Sequence, residues 1–114
     1  IDTLAMGTPK YMAPEQIDVH RVTGASDRYA FGLVVYEILS GRLPWLENLP
    51  SMDILKIKVQ DRLIDFAEFK IDIPKYVSVS IMKMLSLKPE NRFDSCLFFI
   101  DILEGSGLSA MKIC

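Results

Sequence analysis

The sequence predicts a mainly α-helical protein, and three observations carry that reading. Residues 26–41 run Ser-Asp-Arg-Tyr-Ala-Phe-Gly-Leu-Val-Val-Tyr-Glu-Ile-Leu-Ser-Gly, which is too long for an ordinary strand. The run opens on Ser26-Asp27, a polar pair suited to a helix N-terminus, and closes on Gly41, the usual residue just past a last turn. Further on, Val77, Ile81, Met84 and Leu85 recur at helical spacing and give one apolar face.

The elements follow in order. Residues 1–14 read as irregular, because Thr3, Gly7, Thr8, Pro9 and Pro14 interrupt any period. Pro14 suits the first turn of a short helix through Glu15-Gln16-Ile17. Residues 18–25 form a polar connection. The central helix is expected over about 26–40, roughly 20–25 Å long at 1.5 Å per residue. Its apolar residues, Tyr29, Phe31, Leu33, Val34, Val35, Tyr36, Ile38 and Leu39, go round the whole cylinder. Such a helix is expected to be buried on every face. A buried strand competes, because Val34-Val35 are β-branched; length and end residues favour the helix.

Residues 42–51 carry two prolines and the lone Trp45, and read as loop. Met52, Ile54, Leu55, Ile57 and Val59 fit a short helix or an alternating strand. Ser51 as a cap and Asp53 in the first turn favour a helix over about 51–60. Residues 62–76 show no sustained period and are closed by Pro74. An amphipathic helix is expected over 78–87, and Pro89 comes after its end. A last helix is expected over 93–104, with Leu97, Phe98, Ile100 and Ile102 apolar and Gly105 following. There are no repeats and no low-complexity tracts.

Composition narrows the function. The 114 residues amount to one domain or a piece of one, and with half of them hydrophobic they can bury a core. A net charge of −2 gives no basic field for nucleic acid. Cys96 and Cys114 lie far apart, suggesting neither a disulfide framework nor a metal site, which fits a reducing compartment. No apolar run approaches the roughly 20 residues that cross a bilayer. The start at Ile1 and the abrupt end at Cys114 read as a fragment.

Three blocks together match one family. Gly7-Thr8-Pro9-Lys10-Tyr11-Met12-Ala13-Pro14-Glu15 resembles the end of a protein kinase activation segment, with its A-P-E signature. Ser26-Asp27-Arg28-Tyr29-Ala30-Phe31-Gly32, followed by Tyr36-Glu37 and Gly41-Arg42-Leu43-Pro44-Trp45, resembles the central helix of the kinase large lobe and the loop after it. Pro89-Glu90-Asn91-Arg92-Phe93 resembles the turn before the last large-lobe helix. The blocks stand in the family's order and lean toward Hanks-type serine/threonine kinases. The resemblance implies that residues 1–114 are a partial kinase domain: the C-terminal helical subdomain of the protein kinase-like fold, with residues 1–15 ending the activation segment.

Specific residues acquire roles by the same resemblance. Thr8, with Gly7, Pro9 and Tyr11, would form the loop that receives the peptide substrate; a Thr at that place resembles serine/threonine specificity. Glu15 and Arg92 would form a structural ion pair tying the activation segment to the helical base, since a guanidinium fork suits a carboxylate. Asp27 would accept backbone N–H bonds from a catalytic loop, or otherwise compensate the helix dipole. Thr3 is a candidate phosphosite, with an unmodified loop threonine as the plainer reading. His20 reads as a surface residue and Trp45 as packing. Lys56, Lys58, Arg62 and Lys70 form no continuous basic face and are expected to be solvated.

No Gly-rich phosphate loop, strand lysine, H-R-D-x-x-x-x-N loop or D-F-G occurs in the sequence. ATP and magnesium would therefore be held elsewhere in the parent kinase, and this chain is expected to bind no metal and supply no catalytic residue. The expected partners are a protein or peptide substrate and the N-terminal part of the kinase domain, with no nucleic acid and no membrane segment. The expected setting is intracellular and cytoplasmic, with anchoring of the parent left open. A pseudokinase parent and a free-standing helical interaction module are the alternatives.

Overall fold

The computed structural model describes residues 10–105. Thr3, Gly7, Thr8, Pro9 and Cys114 lie outside the described residues. Within them the chain forms four α-helices, α1 (Gly24–Ser40), α2 (Ser51–Val59), α3 (Lys75–Met84) and α4 (Cys96–Leu103). Short 3₁₀ turns cover Pro14–Ile17, Val19–Arg21, Phe66–Phe69 and Pro89–Asn91, and no strand occurs among the described residues. No helix there is long and apolar enough to cross a membrane.

The central run is helical, but it begins earlier than Ser26-Asp27 suggested. Thr23 is the cap: its Oγ1 accepts from the Ala25 N–H at 3.2 Å, leaving the Ser26 hydroxyl for another partner. At the other end Gly41 takes the left-handed conformation at φ +80°, and its N–H reaches the Glu37 carbonyl at 2.8 Å.

The expectation that α1 is buried all round fails. Ala25, Tyr29, Leu33 and Tyr36 face inward, three to four residues apart, whereas Val34 and Leu39 are about 40% exposed and Ile38 73%. Hydropathy alone does not distinguish the two faces, because both are apolar. The inward face lies against α3, and α3 in turn packs on α4, with Ile81, Met84, Phe99 and Ile102 in the same core. Gly32 sets the approach of α1 to the end of α3: a Cβ there would sit 3.0 Å from Leu85 Cδ2 and 3.1 Å from Met84 Cβ. Aromatic edges close the far end of the core, where Tyr36 meets Phe66 with ring centroids 5.2 Å apart.

Three other boundaries differ from expectation. α2 has Pro50, not Ser51, in the cap position, and the Pro50 carbonyl accepts from the Asp53 and Ile54 N–H groups. α3 runs Lys75–Met84 rather than 78–87. Pro74 starts it without breaking it, and the Ser86 and Leu87 carbonyls beyond its end turn to the Arg92 guanidinium. α4 starts at Cys96 rather than residue 93, because Ser95 caps it (Oγ accepts from the Phe98 N–H at 3.0 Å) and Arg92 is extended. Leu97 and Phe98 are exposed on α4, while Phe99 and Ile102 enter the core.

Candidate functional site

Pro14 opens a single 3₁₀ turn, and the Gln16 side chain holds it by accepting from the Ala13 N–H at 2.6 Å. That turn directs Glu15 inward. Arg92 follows a second proline-led turn, Pro89–Asn91, and arrives from the opposite end of the chain. Arg92 Nη1 donates to Glu15 Oε2 at 2.7 Å and Nη2 to Oε1 at 2.8 Å, and both side chains are almost wholly enclosed. The remaining donors reach the carbonyls of Ala25, Ser86 and Leu87 at 2.9, 2.9 and 3.3 Å. The guanidinium also lies over the Tyr29 ring at 4.8 Å.

The carboxylate is satisfied as well. Ser26 Oγ donates to Glu15 Oε2 at 2.7 Å. Burial alone would raise the Glu15 carboxyl, but the hydrogen bonds from Arg92 and Ser26 outweigh it and hold it below its ordinary value. The Pro14–Ile17 turn, the first turn of α1 and the α3–α4 connection therefore meet at one charged knot.

A second connection joins residues 10–12, just before that turn, to α2. Lys58, expected in solvent, is 1% exposed. Its Nζ donates to the Lys10 and Met12 carbonyls, each at 2.8 Å, and lies 5.1 Å from the Trp45 ring centroid. Burial pulls its amine down from 10.5 to about 7. Between those carbonyls Tyr11 donates its hydroxyl to Glu37 Oε1 at 2.6 Å, and that bond, with burial, raises the phenol above its ordinary value. A cleft of about 290 Å³ adjoins them, lined by Lys10, Glu37, Arg42, Trp45, Glu47 and Leu49 among others.

The remaining candidates are dispersed. Asp27 is exposed in the first turn of α1, where a carboxylate complements the dipole. It shares a face with Phe31, Val34 and Ile38, spaced by four, three and four residues, and all but Phe31 are exposed. His20 is exposed and Trp45 is buried. No cluster of three or more potential metal ligands occurs among the described residues.

Comparison with known proteins decides the family. The protein kinase domain matches residues 2–98. The chain belongs to the protein kinase family. A probable serine/threonine-protein kinase of Clostridium acetobutylicum is 33% identical over 98 residues, covering 86% of this chain and 15% of that protein. The serine/threonine-protein kinase PknD of Chlamydia pneumoniae is 31% identical over 90 residues, covering 79% of this chain and 10% of that one. The tyrosine-protein kinase MasK of Myxococcus xanthus is 32% identical over 99 residues, covering 86% and 15%. The chain thus spans 10–15% of the length of these kinases. Its helices are those of the C-terminal helical subdomain of the protein kinase-like fold.

Sequence reading did not find Lys58, Ser26 or the Tyr11–Glu37 bond. For Lys58 a signal existed: it stands four residues after Ile54, on the inward stripe of α2.

Proposed function

We propose that this chain is the peptide-facing helical base of a protein serine/threonine kinase. Residues up to Glu15 end the activation segment, and Gly7, Thr8, Pro9 and Tyr11 belong to the loop against which a substrate hydroxyl is presented. The observation that carries this reading is the enclosed Glu15–Arg92 pair, which bridges 77 positions in sequence and fastens the segment to the base. The stripe of Asp27, Val34 and Ile38 supports it: an exposed face of one carboxylate and two aliphatic side chains suits contact with the preceding part of a kinase domain.

The parent reaction is transfer of the ATP γ-phosphoryl group to a protein hydroxyl, in an intracellular setting. ATP and magnesium are held in the family by motifs that this sequence does not contain, so its residues contribute position rather than bond-making. Thr8 favours serine or threonine as acceptor, and Thr3 is a site at which phosphorylation would add charge to the segment.

The test is phosphate incorporation into serine-, threonine- and tyrosine-containing peptides by a complete kinase domain carrying this stretch. Thr8→Ala should cut turnover at least about tenfold, a barrier increase of about 1.4 kcal/mol, with the melting temperature unchanged. A wild-type domain that transfers no phosphate would overturn the reading in favour of a pseudokinase or scaffold. Preference for tyrosine would overturn the acceptor assignment.

A further inference from the structure

The inward stripe of α2 carries an amine at a position where a hydrocarbon would be cheaper to bury. Lys58 lies one helical turn after buried Ile54 and is more enclosed than Ile54 itself. An aliphatic side chain there would fill the space. What the lysine adds is donors, and two of its contacts are the carbonyls of Lys10 and Met12, at 2.8 Å each. A group bonded to the carbonyls on either side of a residue restrains that residue's backbone, and here the residue is Tyr11. Tyr11 is restrained at its other end too, through its hydroxyl on Glu37, at the edge of the cleft. The Trp45 face above the amine favours its charged form, as the two carbonyls do, while burial works against it.

We propose that Lys58 is a positioning residue for peptide recognition: by gripping the Lys10 and Met12 carbonyls it shapes the segment on which a substrate peptide docks. This rests on the proposed reading of residues 7–11 as substrate-facing. Lys58 acts through the backbone of that segment and touches neither nucleotide nor transferred group. Its loss therefore changes peptide affinity and leaves nucleotide affinity alone.

Lys58→Met, which keeps a long unbranched side chain without donors, is the variant to compare with wild type in a complete kinase domain. Hydrogen–deuterium exchange over residues 10–13 should accelerate while α3 stays protected, and the peptide KM should rise roughly tenfold, the loss of about one net hydrogen bond, at constant ATP KM. Lys58→Gln, which keeps an N–H₂ at shorter reach, should fall between the two and carries the test should Lys58→Met not fold. Unchanged exchange over residues 10–13 would overturn the proposal. Faster exchange with an unchanged peptide KM would also overturn it, leaving Lys58 a packing residue. A wild-type domain that phosphorylates no peptide would instead count against the substrate-facing reading, and the exchange measurement would still decide whether Lys58 shapes the segment.

Discussion

The Glu15 carboxylate and the Arg92 guanidinium meet as a two-point fork, at 2.7 and 2.8 Å, in a site closed to solvent. Removing one partner leaves the other charged and dry, which costs about 3–5 kcal/mol. Arg92→Met should cost more than Glu15→Gln, because the carbonyls of Ala25, Ser86 and Leu87 lose their donors as well. Replacing both residues, as Glu15→Gln with Arg92→Met, should cost clearly less than the sum of the single changes. A double-mutant cycle by urea unfolding checks this; simple additivity would mean that the fork is not coupled.

Acid should undo the same knot. Because the Glu15 carboxyl sits below its ordinary 4.5 in the folded protein, its contribution is full above that value and fades as pH falls through the folded one. Wild type should thus be clearly more stable than Glu15→Gln at pH 7, and the gap should narrow steadily below about pH 4.5. Unfolding midpoints of both proteins across pH 3–7 measure it. A gap that does not depend on pH would show that the carboxylate's charge is not what Arg92 holds.

How far the sequence foretold this arrangement differs element by element. The central helix was legible because its length and its closing glycine are local signals. Which face it buries was not, since Val34, Ile38 and Leu39 are as apolar as Leu33 and Tyr36. The end of α3 was misplaced because the Ser86 and Leu87 carbonyls answer to Arg92, a tertiary partner that no local pattern announces. The Glu15–Arg92 pair spans 77 positions and was visible only through resemblance to kinases. Lys56 and Lys58 are chemically alike and two residues apart, so they point roughly 200° from each other round α2, one into solvent and one into the protein. Only register against Ile54 separates them.

Gly32 is predicted to resist even alanine. In a solvent-facing helix, Gly→Ala stabilises by roughly 1 kcal/mol. Here the new methyl would lie 3.0–3.1 Å from Leu85 Cδ2 and Met84 Cβ and Cγ, so α1 and the end of α3 would have to part. Overpacking of this kind costs about 1–3 kcal/mol. Gly32→Ala should therefore lower the melting temperature, and any increase would show that the α1–α3 contact yields freely.

Ile38 gives the contrast that separates this protein from the longer kinase proposed to contain it. At 73% exposure its side chain buries little here, so Ile38→Ala should change stability by less than about 0.5 kcal/mol. In a complete kinase domain the stripe of Asp27, Val34 and Ile38 is expected to be covered. There the same truncation should cost about 2 kcal/mol or more, as for other buried isoleucines. Paired thermal melts of both forms, with Val34→Ala as a second probe of the same face, measure the difference. Equal effects in the two contexts would mean that this face stays in solvent throughout, and that another surface of the chain meets the rest of the kinase.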